Sequence, residues 1–347
     1  MTEAIHGRGA SWNPLNRFES IEYARDEENV EDQPAPNTIF LRDPTRSIIA
    51  HNDSPDVGFD SSINPYRGCE HGCIYCFARP THEYLGLSAG LEFESKILVK
   101  EDAPELLREE LMSKKWEPRL IAISGVTDPY QPIERKLQIT RRCLEVLAEF
   151  RNPTCIITKN HLVTRDIDVL QELAKYDAVS VNLSVTTLDP ALANIMEPRA
   201  SIPAKRIEAI EMLARANIPV GAMVAPVIPA ITDHEMPAIL TAVANAGATS
   251  AGFVLLRLPW AVAPLFERWL DEHYPDRKQK VLNRVRYLRG GKLYDARWGV
   301  RARGEGVFAE QLDAMFDVTC RKLHLNEISR ELSASSFRRP TAQASLW

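Results

Sequence analysis

Asn64-Pro65-Tyr66-Arg67-Gly68-Cys69-Glu70-His71-Gly72-Cys73-Ile74-Tyr75-Cys76 places three cysteines in the spacing Cys-x3-Cys-x2-Cys. Three thiolates held this close supply one ligand too few for a closed four-coordinate site. Iron–sulfur cubes are normally held by one Cys per iron, so three cysteines leave one iron open to a small molecule. Two other readings compete. A structural zinc would take Cys69, Cys73 and Cys76 with His71, but zinc ligands usually come as two separated pairs, and His71 lies between two of the cysteines. Buried free thiols are the third. Neither a ferredoxin run nor a pair of Cys-x2-Cys motifs is present.

With Tyr75 just before the third cysteine, the stretch resembles the signature of the radical S-adenosylmethionine (SAM) superfamily. The wider context is Asn64 to Arg79, Gly90 to Ile97 and Thr127 to Glu134. It is similar to the branch related to spore photoproduct lyase, many of whose members are described only as DNA-repair-photolyase-like. The resemblance implies a [4Fe–4S] cluster on Cys69, Cys73 and Cys76, with SAM chelating the fourth iron through its amino and carboxylate groups. It further implies an electron donor such as flavodoxin or ferredoxin. Reductive cleavage of the sulfonium then gives methionine and a 5′-deoxyadenosyl radical, which abstracts hydrogen from a substrate or adds to it.

Outward from this loop, near-continuous apolar runs alternate with amphipathic ones. Strands are expected at Ile63 to Arg67, Arg119 to Thr127, Thr154 to Thr158, Ala178 to Val185, Val220 to Ile228 and Ser250 to Leu256. Helices are expected at Pro104 to Ser113, Gln138 to Phe150, Asp166 to Lys175, Pro203 to Ala216, Glu235 to Ala246 and Pro264 to Glu272. That pattern predicts a parallel sheet covered by helices. Six such units match the α/β fold implied by the resemblance, a partial (β/α)6 TIM-like barrel. Residues 1–60, rich in charge, Asn, Asp and Pro, read as an N-terminal extension partly mobile at its start. Residues 61–272 read as the core barrel, and 273–347 as a basic, helical C-terminal extension.

At 347 residues and 45% hydrophobic content the chain is long enough for one large core. Six cysteines without a secretory signal do not suggest a disulfide framework, and no apolar run reaches the length of a membrane span. A cytoplasmic enzyme is expected. The net charge of -5 argues against a protein that coats nucleic acid generally.

Function in such barrels sits at the carboxyl ends of the strands. After the second strand, Gly125, Thr127 and Asp128 stand where the superfamily carries a Gly-rich segment that binds the SAM amino group; an ordinary turn before Pro129 is the competing reading. Ser184 and Thr186, ending the fourth strand, and Arg199 beyond it are candidates for the ribose and carboxylate of SAM, against plain turn punctuation. Pro226 to Pro229 is a candidate wall for the adenine. Tyr75 and Tyr130 are candidate hydrogen-relay residues, although aromatic groups near cofactors more often pack than react.

Spore photoproduct lyase implies a further hydrogen-donating cysteine about forty residues beyond the cluster motif, and here Trp116 to Gly125 contains none. Cys143, Cys155 and Cys320 read as small buried hydrophobes, and no second cysteine-rich motif suggests an auxiliary cluster. Between Arg277 and Arg303 ten basic residues face one acid, Asp295, with Tyr287, Tyr294 and Trp298 interleaved. A phosphate-binding wall of Arg284, Arg286, Arg289 and Lys292 is one reading, and a solvated helix face the other. The substrate is therefore either a nucleic acid or nucleotide, or a peptide, protein or small metabolite. A non-catalytic iron–sulfur or zinc protein is the third reading.

Overall fold

The chain's computed structural model describes residues 7–18, 37–327 and 331–340. In chain order the strands are β1 (Ile39–Arg42), β2 (Ile49–His51), β3 (Ser61–Ile63), β4 (Tyr66–Arg67), β5 (Lys96–Val99), β6 (Ile121–Ile123), β7 (Thr154–Thr158), β8 (Val179–Ser184), β9 (Val220–Val227) and β10 (Ser250–Leu255). Seven of them form one sheet in the order β10-β9-β8-β7-β6-β3-β2. The six from β3 to β10 run parallel, and β2 closes the outer edge antiparallel to β3, with Ile49 opposite Ile63. No pairing joins β10 to β2 among the described residues, so the barrel is partial, as the resemblance implies.

Helices at Ala103–Met112, Ile139–Phe150, Ile167–Ala174, Pro203–Arg215, Met236–Asn245 and Val262–His273 cover the sheet. Their apolar residues recur at helical spacing. In Ile139–Phe150 the buried set is Ile139, Cys143, Leu144, Leu147 and Phe150, with Thr140 and Val146 beside them. Each such stripe seals the outer face of a strand such as β7, where Thr154, Ile156 and Thr158 are buried while Cys155 and Ile157 are half-exposed. Cys143 and Cys320 are buried as expected. Cys155 instead lies on the half-exposed face, where Asn182 donates to its sulfur at 3.4 Å.

One expected strand is split. Asn64 and Pro65 interrupt the run Ile63 to Arg67, because proline has no N–H to give the ladder. β3 stays in the barrel, while β4 turns away to pair antiparallel with β5, which also pairs parallel with β1 in a separate three-stranded sheet. That change of sheet brings the cysteines to the carboxyl end of the barrel. The expectation of a mobile start falls on residues 1–6, which lie outside the described residues. No helix among the described residues is long and apolar enough to cross a membrane.

Candidate active site at the cysteine loop

Gly68 opens the loop at φ +81, where an added Cβ would stand 2.8 Å from the His82 ring and 2.9 Å from the Phe93 carbonyl. Only glycine fits there. The Cys69 N–H then donates to Phe93 O at 2.9 Å, and Ile74 N–H to Met196 O at 3.0 Å. Arg79, fully buried, grips the loop from behind: Nε donates to Cys73 O at 2.9 Å and Nη2 to Gly72 O at 3.2 Å, while Nη1 reaches the carbonyls of Ala89 and Gly90. Glu94 balances its charge at 2.5 Å and also accepts from the backbone amides of Gly9 and Ala10. The segment 7–18 therefore lies against the loop, and a Cβ on Gly9 would collide with Gly72 O.

The turn after β6 is stitched to the same loop. Thr127 Oγ1 donates to Gly68 O at 2.7 Å, Gln131 accepts from the Glu70 N–H, and Glu70 accepts from the Ile133 N–H. Gly125 sits at φ +130 beside Asn64, whose side chain accepts from Val126 N–H. Asp128 receives Thr158 Oγ1 and Tyr130 N–H on one oxygen, and Lys159 N–H with His71 Nδ1 on the other. Burial pushes this carboxyl up, but His71, Thr158 and the Lys159 amide more than offset it and hold it at about 2. Both of its oxygens are engaged within the chain, so the ammonium-binding role expected of Asp128 requires one of these partners to give way.

A second buried cluster lies on the other flank. Tyr75 donates its hydroxyl to Glu197, with Thr186 Oγ1 3.3 Å from the phenol and 2.8 Å from the same carboxylate. Arg206 pairs with Glu197 and donates to the carbonyl of Ser184 at 3.1 Å. Lys159 stands 5.9 Å from the Tyr75 ring, and burial draws its ammonium below the ordinary lysine value. Arg199 pairs with Glu70 at 2.8 Å and donates its N–H to His71 O.

The structure thus brings Thr127, Asp128, Thr186, Arg199 and Tyr75 to the cysteine loop or its immediate supports. Tyr130 is not among them. Its ring is fully buried in the main core, and its hydroxyl donates to Asp166 at 3.1 Å, so this candidate relay residue packs. Glu197 reads in sequence only as helix punctuation, and Lys159 and Arg206 carry no local signal; Arg79 and Glu94 lie within the quoted context.

The donor set suits a cube better than a single ion. Both His71 nitrogens are engaged, Nδ1 by Asp128 and Nε2 by the Asn160 amide at 3.1 Å, which removes the fourth ligand of the zinc reading. No group of three or more His, Cys, Asp or Glu among the described residues converges on one ion, whereas a cube takes its thiolates at separated corners. Burial pushes the Cys69 and Cys73 thiols up, with Asp128 adding at Cys69 and Glu197 at Cys73, so bound iron is what would hold them as thiolates. Cys76 is the least buried of the three.

Two of the four residues of the expected basic wall, Arg284 and Arg289, are taken up within the chain. Arg289 is 1% exposed, with its guanidinium donating to the carbonyls of Leu256 and Val300 at 2.8 and 2.6 Å. Arg284 pairs with Asp233 at 3.0 Å, and Arg297, Arg301 and Arg303 pair with Asp295, Asp56 and Asp313. These cations hold loops together, which the run of charges alone does not reveal.

Comparison with known proteins identifies the family and the fold. The family model described as Radical SAM superfamily matches residues 63–243. An uncharacterized protein of Mycobacterium tuberculosis is 35% identical over 235 residues, covering 66% of this chain and 69% of the relative. One of Methanocaldococcus jannaschii is 28% identical over 227 residues, covering 65% of this chain and 81% of its own. Among solved structures, a spore photoproduct lyase complexed with dinucleoside spore photoproduct superposes with a TM-score of 0.54. It is 15% identical, and the match covers 82% of this chain and 79% of that one, a likeness of fold.

Proposed function

This chain belongs to the radical SAM superfamily, and we propose that it is an enzyme that cleaves SAM reductively to abstract hydrogen from an organic substrate at the barrel mouth. The observation that carries the proposal is the loop itself: Cys69, Cys73 and Cys76 are free, adjacent to the mouth, and clear of competing histidine and carboxylate ligands. These three would hold a [4Fe–4S] cluster. When bound, the cluster and SAM together supply one-electron cleavage of the sulfonium and with it the 5′-deoxyadenosyl radical.

The chain's own residues fix the geometry. Arg79 holds the carbonyls of Gly72 and Cys73 and so fixes the backbone that carries Cys73. Gly125 and Thr127 after β6, with Ser184 and Thr186 at the end of β8, are the proposed SAM-facing positions. Asp128 and Arg199 act on the same site by orienting His71 and Glu70. Tyr75, next to Cys76 and joined to Glu197, is the tyrosine proposed for hydrogen transfer. The electron would come from a donor such as flavodoxin or ferredoxin, in a reducing cytoplasm that protects the cluster.

Anaerobic reconstitution with iron and sulfide, then SAM and dithionite, tests the reaction. The expected result is 5′-deoxyadenosine from the intact protein, and neither bound iron nor 5′-deoxyadenosine from a variant with Cys69, Cys73 and Cys76 all changed to Ala. Four irons retained per chain in that variant would overturn the assignment.

A further inference from the structure

Arg257 lies two residues beyond β10, at the barrel mouth. The ladder runs up to it, since Leu256 N–H still donates to Val227 O at 3.0 Å. Its guanidinium carbon sits 4.1 Å over the ring of Phe77, the residue that follows Cys76. Among the described residues it makes no hydrogen bond and no ion pair. The nearby carboxylate, Asp56, is already taken by Arg301 and by Gly299 N–H. Burial draws the Arg257 guanidinium below its ordinary value, with Arg301 adding to the effect. A half-buried cation with its donors unpaired is costly unless an anion comes to it. Its neighbours differ in this respect, because Arg17 pairs with Glu83 and Arg289 serves two carbonyls.

Three residues further along the chain stands Trp260, 54% exposed and held at φ +44. The left-handed region is uncommon for a bulky side chain, and such backbone strain gathers at binding sites. Its ring lies between the Arg17 guanidinium at 4.2 Å and the Tyr294 ring at 5.7 Å. The row continues through Arg17 to Phe18, which stacks on the exposed Tyr84 at 4.9 Å. Tyr294, Trp260, Arg17, Phe18 and Tyr84 therefore follow one another as a row of flat groups, while Arg257 covers Phe77, the residue after Cys76.

We propose that this surface is the substrate anchor: Arg257 receives a phosphate, and Trp260 with Tyr294 stacks bases of a single-stranded nucleic-acid segment. A guanidinium fork matches phosphate geometry, and repeated ring faces accept successive bases whatever their identity. In a duplex those bases are already paired and stacked. The identity of the bound molecule as substrate rests on the radical SAM reading; its binding does not.

The test uses the anaerobically reconstituted enzyme and a short fluorescein-labelled single-stranded oligothymidylate, followed by anisotropy over a range of salt. Wild type binds, with affinity falling as salt rises. Arg257→Gln weakens binding and lowers the slope of log affinity against log salt by about one phosphate contact. Trp260→Ala weakens binding by about 5- to 150-fold, the range for one lost stack, and leaves that slope in place. Iron content and thermal unfolding verify that each variant is folded.

The proposal falls if wild type does not bind at low salt, or if neither substitution weakens binding. It falls equally if an acidic, tryptophan-containing peptide binds more tightly than the oligonucleotide and loses affinity on the same substitutions, which assigns the surface to a peptide. Binding without any 5′-deoxyadenosine from SAM and dithionite would remove the reaction and leave the anchor standing.

Discussion

Arg79 and Glu94 form an ion pair at 2.5 Å, both side chains fully buried, directly behind the carbonyls of Gly72 and Cys73. The pair is the hub through which the cysteine loop, the helix Leu91–Ser95 and the segment around Gly9 are joined. Removing one member leaves the other as an unpaired buried charge. Arg79→Met should therefore destabilise the fold by about 3–5 kcal/mol in urea unfolding. It should also lower iron occupancy after reconstitution, and unchanged occupancy would separate loop geometry from this pair.

His82 supplies a pH dependence. Its Nε2–H donates to Lys96 O at 2.9 Å and its ring meets Phe93 edge-on; burial holds its pKa down to about 4, Arg79 assists, and Glu92 opposes. The unfolded chain takes up the proton near the ordinary value of about 6.5. The folded form is thus favoured above that pH, and the advantage, on the order of 3 kcal/mol, is lost as pH falls from about 6.5 to about 4. A His82→Phe variant should show a flatter dependence of the urea midpoint on pH across that window. Identical slopes would mean that other groups carry it.

Tyr75→Phe keeps the ring and deletes the hydroxyl that Glu197 accepts. Arg206 still pairs with the carboxylate, so the loss is one donor, about 1–3 kcal/mol of stability. Iron binding should persist. If Tyr75 transfers hydrogen, the variant should release 5′-deoxyadenosine while losing turnover of substrate, a split visible by chromatography once substrate is supplied.

Arg289→Leu should cost about 1–3 kcal/mol for the Leu256 carbonyl left without a donor, since Gly304 N–H still serves Val300 O. Because Leu256 directly precedes Arg257, oligonucleotide binding should weaken with no change at Arg257 itself. A salt slope equal to that of wild type would show that Arg289 supports the anchor without touching phosphate.

The barrel was legible because its strands are buried on one face by helices whose apolar residues recur every three or four positions. Thr154–Thr158 matches its expected bounds, and Val179–Ser184, Val220–Val227 and Ser250–Leu255 fall within a residue of theirs at either end. β1, exposed along its whole length, and the two-residue β4 carry no such period. Within the site, the cysteines are a local signal, and so is the turn at Gly125 to Asp128. Glu197, Lys159 and Arg206 are not, because their meeting depends on the order of strands in the barrel. The charge run from Arg277 to Arg303 misleads for the same reason: the acids that neutralise Arg284, Arg301 and Arg303 come from Asp233, Asp56 and Asp313, outside the window.

The cysteine loop is completed by residues far downstream of it: Ile74 N–H needs Met196 O, and His71 O needs the Arg199 N–H. During synthesis on the ribosome the three thiols emerge long before those partners exist. The nascent loop is then a pliant, accessible chelator that closes only when the fourth β/α unit arrives. In order of synthesis the three thiols therefore precede the contacts from Met196 and Arg199 that finish their loop.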